Sequence, residues 1–170
     1  SIDKIIESGN VIVAGKQNEK NGRIVIFHDP MCEFCKEFFN EMKKRSLWNY
    51  YAVYWIPVVS VGKPEVSLKL VEDPRFDYLM ALESNPRAEP SQRRVPEDKA
   101  KEIVALHTEM LGAMITDAAT PTVILQNAKG EKKIVIGSNI KEVMDFMSRG
   151  VPPAPVKKVE PKKNTDESNN

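Results

Sequence analysis

Ile24-Val-Ile-Phe-His-Asp-Pro-Met-Cys-Glu-Phe-Cys-Lys-Glu-Phe-Phe39 holds two periods back to back. Arg23 to His28 is an unbroken β-branched and aromatic run, which predicts a buried strand. Asp29-Pro30 interrupts it. From Cys32 the period changes, and Cys35, Phe38, Phe39 and Met42 recur at i, i+3, i+4 and i+7. That spacing makes one apolar helical face, with Lys36, Glu37, Lys43 and Lys44 largely on the other. The two cysteines therefore sit three apart at the start of a helix that directly follows a strand.

That placement gives the thiols different chemistry. Cys32 falls at the helix N-terminus, where unpaired N–H groups and the macrodipole favour a thiolate. Cys35 lies one turn inside and more buried, poised to attack a mixed disulfide formed at Cys32. Cys32 is thus expected to be a nucleophile and Cys35 its resolving thiol. The bland alternatives are a structural disulfide, two inert thiols, or half of a zinc site completed by His28 and His107. The histidine separations fit no compact zinc spacing. His28, ending the strand, is read either as a modulator of the thiol or as a side chain facing solvent or the sheet edge. Glu33 puts a carboxylate beside the nucleophile and should oppose its ionisation. Met31 and Phe34, with Met114 as a further candidate, suggest an apolar patch around the thiols suited to flexible protein substrates.

Outward from this stretch the chain reads as one domain. It has 170 residues, 41% of them apolar, with 25 Lys and Arg against 24 Asp and Glu. That is enough for one real core and too little for two ordinary ones. The charge balance gives no reason to expect nucleic acid or an anionic membrane as partner. No apolar run approaches a membrane span, and two cysteines exclude a disulfide-dense scaffold. No cofactor and no metal are expected. The first residue is Ser1, so a processed or trimmed chain, with a secretory signal removed, is expected.

Residues 11–14 read as a short strand, Gln17 to Gly22 as a turn, and Tyr50 to Val59 as a strand ending near Pro57. Pro64 is expected to open a helix reaching about Leu82, followed by a polar loop over 83–96. Pro96-Glu-Asp starts another helix, with Ile103, Leu106, Met110 and Met114 as its inner face and His107 partly buried and satisfied there. The aromatic cluster Trp48, Tyr50, Tyr51, Tyr54 and Trp55 reads as packing. Residues 121–126 and 132–137 form a hairpin about Asn127 to Gly130. Asn139 caps a last helix to about Met147, and Gly150 ends it. The order β, β, α, β, helical insertion, β, β, α predicts an α/β fold, a central mixed sheet with helices on both faces. Thr120-Pro121, at the entrance of an apolar strand, is a candidate cis peptide.

Together these features resemble the thioredoxin fold, and more closely the catalytic domain of the bacterial periplasmic disulfide isomerases DsbC and DsbG. In that family an apolar strand runs into Phe-x-Asp-x-x-Cys-x-x-Cys, as Phe27, Asp29, Cys32 and Cys35 do here. Ile6 to Val13 resembles the family's interdomain linker. Ile56-Pro-Val-Val-Ser-Val-Gly-Lys-Pro-Glu65 resembles its strand into the helical insertion, and Thr120-Pro-Thr-Val-Ile-Leu125 its cis-proline strand. The resemblance implies a thiol–disulfide oxidoreductase, isomerase or reductase, in the periplasm. It implies protein substrates bearing cysteines or disulfides, a membrane redox partner for recycling, and Thr120 and Pro121 beside Cys32 as substrate-binding residues. The dipeptide Glu33-Phe34 departs from the family's Gly-Tyr or Pro-Tyr. The family's dimerisation domain does not precede Val11, so a monomer is expected. The expected division is a linker or helix remnant over 1–10, a catalytic domain over 11–149 with its insertion at about 64–117, and a disordered Pro/Lys-rich tail over 150–170. The competing class is a non-catalytic chaperone-like or peptide-binding module on the same fold.

Overall fold

The computed structural model describes residues 2–151, so nearly all of the expected tail lies outside the described residues. Five strands form one sheet in the order β1-β3-β2-β4-β5: β1 Ile12–Ala14, β2 Gly22–His28, β3 Ala52–Pro57, β4 Thr122–Asn127 and β5 Lys132–Ile136. β2 and β3 run parallel, joined by a crossover through helix α2, Glu33–Lys44; the other pairings are antiparallel. β2 is central and buried on both faces. That explains why its apolar run shows no alternation.

The pleat divides these side chains between two cores. Ile24, Ile26, Val53 and Trp55 face a core built with Phe38, Phe39 and Met42 of α2, Leu79 of helix α4 (Phe76–Ser84) and Val143 of helix α6 (Ile140–Met147). Val25, Phe27, Tyr54 and Ile56 face the opposite core, with Ile5 of helix α1 (Ile2–Glu7) and Leu111 of helix α5 (Glu97–Met114). Helices therefore cover both faces, as the element order predicts. Most of the aromatic cluster is packing: Trp55 stacks on Phe76 and meets Trp48 and Phe39, and Tyr51 and Tyr54 are buried, whereas Tyr50 is exposed.

Two expectations need correction. The helix expected from Pro64 to Leu82 is two helices, α3 (Glu65–Glu72) and α4, separated at Asp73-Pro74. Pro74 cannot continue an α-helix hydrogen-bond ladder. The buried Asp73 carboxylate accepts instead from the amides of Ser91 and Gln92 and from Arg75, so the break is tied to the following loop. Burial opposes its charge, but these donors outweigh burial and hold the carboxyl below its usual range. The inner face of α5 is also rotated from the expected one. Ala100, Ile103, Val104, His107 and Leu111 are buried, whereas Leu106 is 54% exposed. Packing of α5 against α3 selects this stripe, which fits the helical period as well as the expected one does.

Candidate active site

The site lies at the C-terminal ends of the parallel strands β2 and β3, where the chain leaves the sheet on both. Cys32 is the N-cap residue of α2, with extended backbone angles, φ −87° and ψ 126°. A capping oxygen at this position would take the free N–H groups of the first turn. Cys32 makes no such side-chain bond, so those donors remain for a sulfur anion. Instead its thiol donates to the Thr120 carbonyl at 3.4 Å. Cys35, one turn on, is fully buried and accepts from the Asp29 amide at 3.4 Å. Burial pushes its thiol far above the ordinary range; the Asp29 amide and the Thr120 side chain oppose that shift without cancelling it. Both cysteines are free thiols. Both are buried, Cys32 6% exposed and Cys35 not at all, so the difference in exposure is small and the pair differs chiefly in place: Cys32 at the N-cap, Cys35 one turn inside α2.

Thr120-Pro121 is a cis peptide, and Thr120 touches Cys32, as the resemblance implies. Thr120 is buried, however, and its carbonyl is occupied by the thiol, not held open to solvent. Its hydroxyl lies 2.5 Å from Ser60 Oγ.

Met31 and Phe34 stand out from the thiol loop, 40% and 62% exposed. Met114 belongs elsewhere: it lines a groove of about 640 Å³ with Ile2, Ile5, Met110, Ile124 and Ile134, between α1, α5 and β5. Glu33 projects into solvent with its side chain 87% exposed, and Lys36 Nζ lies 3.7 Å from its carboxylate.

Both histidines are satisfied away from the sulfurs. His28 faces neither solvent nor a sheet edge. It is buried, with Nε2 3.2 Å from the buried Glu83 carboxylate and its ring against Phe39. The even register of β2 directs His28 to the same side as Ile24 and Ile26, into the α2–α4 layer. His107 Nδ1 donates to the Pro57 carbonyl at 3.0 Å, and burial pushes its pKa down.

Two residues of the site were missed in the sequence. The buried Asp29 carboxylate accepts from the Met31 amide at 2.9 Å and from the Ser60 and Val61 amides at 2.8 Å each. It thereby joins the loop before α2 to the loop after β3. The Asp-Pro dipeptide, a turn former whose carboxylate commonly takes the amide two residues on, was the available signal. Ser60, which bridges Asp29 and Thr120, had none.

The sequence matches no known family, and no curated protein matches it. Solved structures do resemble the fold. BdbD from Bacillus subtilis superposes with a TM-score of 0.54 at 20% identity, over 80% of this chain and 90% of that one. A disulfide interchange protein from Neisseria gonorrhoeae gives 0.53 at 16% identity, over 82% and 94%. A periplasmic thioredoxin-like protein from Salmonella enterica serovar Typhimurium gives 0.52 at 15%, over 86% and 95%. With the strand order and the helices on both faces, these likenesses establish a thioredoxin-like α/β fold.

Proposed function

We propose that this protein is a thiol–disulfide oxidoreductase acting on protein cysteines outside the cytoplasm, with Cys32 as nucleophile and Cys35 as resolving thiol. The observation that carries the reading is the asymmetric pair at the start of α2: an N-cap sulfur against the Thr120 carbonyl, and a second thiol buried one turn inside. The names of the Neisseria and Salmonella structures, one a disulfide interchange protein and the other periplasmic, agree with the activity and the compartment.

The chemistry follows from the geometry. A Cys32 thiolate attacks one sulfur of a substrate disulfide, forming a Cys32–substrate disulfide and releasing the other substrate sulfur as thiolate. Cys35, kept protonated by burial until then, gives its proton to that leaving thiolate or to solvent. Its sulfur then attacks Cys32 Sγ, closing the Cys32–Cys35 bond and freeing the second substrate thiol. Two electrons pass from the protein dithiol to the substrate; the reverse sequence oxidises a substrate dithiol. Met31 and Phe34 offer exposed apolar contacts for a flexible chain beside Cys32. Within this class we favour the isomerase or reductase branch, on Thr120 before Pro121 and the aromatic Phe34 between the cysteines. Resetting the pair needs a second redox couple, which we assign to a membrane partner.

Insulin reduction and reactivation of scrambled ribonuclease test this reading, with Cys32→Ser as control. Activity lost in the variant is expected. If the wild type is inactive in both assays but binds an unfolded chain, the protein is a peptide-binding module instead.

A further inference from the structure

The residue that follows β2 meets both cysteines through its backbone. The Asp29 amide donates to Cys35 Sγ at 3.4 Å, and the Asp29 carbonyl accepts from the Cys32 amide at 3.0 Å. The peptide that carries this amide is held from two sides. At one end the His28 carbonyl accepts from the Val58 amide at 3.0 Å. At the other the Asp29 carboxylate is gripped. Its Oδ1 receives the Met31 amide, and its Oδ2 the Ser60 and Val61 amides and the Ser60 hydroxyl. Asp29 is 1% exposed, so water does not replace these donors. Pro30, next in the chain, narrows the backbone angles open to Asp29.

We propose that Asp29 is a positioning residue for the resolving step: by anchoring its own backbone to both loops, its carboxylate aims the Asp29 amide at the Cys35 sulfur. The step it serves rests on the oxidoreductase reading. In that step Cys35 loses its proton to solvent and its sulfur attacks Cys32 Sγ. The bond from Cys32 to the substrate sulfur breaks, and that sulfur leaves as thiolate. Negative charge therefore sits on Cys35 before the new bond forms, at a sulfur closed off from solvent. A fixed N–H donor favours that anion, and the Asp29 amide does oppose the effect of burial on the thiol. The carboxylate's own charge would act the other way, since a neighbouring anion disfavours a thiolate. Position and charge thus predict opposite signs when the side chain is cut back.

The test is the reaction of the reduced full chain with equimolar dithionitrobenzoate. Attack by Cys32 releases one thionitrobenzoate, and attack by Cys35 on the resulting mixed disulfide releases the other. The second phase, followed by stopped-flow absorbance across a range of pH, reads the ionisation of Cys35. In Asp29→Ala its pH midpoint should rise by roughly one pH unit and its rate near neutrality fall roughly tenfold, the worth of one hydrogen bond to an ion. Asp29→Asn keeps one oxygen for the Ser60 and Val61 amides and should show a smaller rise. An unchanged midpoint in Asp29→Ala overturns the proposal. So does a fall in either variant, which a carboxylate acting as a charge would produce, as would a loosened loop that let water reach Cys35. Should Asp29→Ala not fold, Asp29→Asn alone decides: a rise supports the role, and an unchanged or lower midpoint overturns it. A wild type with no second phase would overturn the resolving role of Cys35 as well, whereas a second phase indifferent to Asp29 overturns the positioning role alone.

Discussion

Cys32 Sγ and the Thr120 carbonyl oxygen, 88 positions apart in the chain, lie 3.4 Å from each other. The sheet makes this meeting. β2 and β4 pair antiparallel with Phe27 opposite Thr122, so the residues that follow β2 and those that precede β4 emerge at the same end. Cys32 borders the loop that carries exposed Met31 and Phe34, whereas Cys35 is walled in by the core.

Cys35→Ala should accumulate mixed disulfides with a cysteine-bearing protein substrate, because Cys32 can attack but nothing resolves the product. Cys32→Ala should accumulate few, since the remaining thiol is buried and its ionisation is opposed by that burial. Non-reducing electrophoresis of the two variants after incubation with scrambled ribonuclease measures this. Equal trapping would remove the assignment of roles.

Asp29→Asn should destabilise the protein by about 2 kcal/mol or more, the range for disrupting a buried multiple acceptor. The carboxylate takes three backbone amides and one hydroxyl from two separate loops. An amide side chain presents two hydrogens of its own and can accept at only one atom. Urea unfolding would show the midpoint falling with an unchanged slope. A midpoint at the wild-type value would mean that the two loops hold without this link.

The parts of this fold that could be read in the sequence are those with a local cause. The β2–α2 junction announces itself by the change of period at Cys32, and the final helix by its cap: Asn139 does accept from the Glu142 amide. The site's cysteines follow from the same junction. Ser60 and Glu83 could not be assigned because their roles depend on partners brought by other strands and helices, and of the contacts of Asp29 only the local one, to the Met31 amide, had a signal in the Asp-Pro turn. Ser60 is one polar residue in a loop until the sheet places it between Asp29 and Thr120. The inner face of α5 failed for a related reason: two stripes satisfy the period, and only the position of α3 chooses between them.

Glu33→Gln should raise the reduction potential slightly, by about 10 mV or less for an exposed charge screened by solvent. Removing a nearby negative charge favours a thiolate, and hence the dithiol form. Lys36, 3.7 Å from the Glu33 carboxylate, already offsets part of that charge. Equilibration with glutathione at low salt gives the shift. A fall in potential would contradict the sign.

Phe34→Ala should weaken substrate capture with little effect on the fold. The ring is 62% exposed, so its removal leaves no core cavity and stability should change by less than about 0.5 kcal/mol. If Phe34 contacts flexible substrates, KM for insulin or an unfolded cysteine-bearing chain should rise several-fold. The rate with a small dialkyl disulfide should not change. A parallel loss on both substrates would point to disturbance of the thiols themselves.

His107 should make the fold lose stability as pH falls below neutrality. Its Nδ1 carries the hydrogen donated to the Pro57 carbonyl, which as an acceptor cannot supply one. Protonation would therefore place a charge on a buried ring. Burial pushes its pKa down, and the hydrogen bond to Pro57 opposes this without overcoming it. The folded value thus lies below the unfolded one, which is about 6.5. Above the unfolded value neither state holds the extra proton, and the full stability is present. As pH falls through it, the unfolded chain takes up a proton that the folded chain refuses, and stability drops by at most about 1.4 kcal/mol per pH unit for one group. Asp3, Asp73 and Glu89 are all held below their usual carboxyl range and stay charged over this interval. His107→Gln retains a donor for Pro57 but does not titrate. Urea unfolding from about pH 7.5 to about pH 5.5 should show a falling wild-type stability and a flatter line for the variant. Parallel lines would place the titrating group elsewhere.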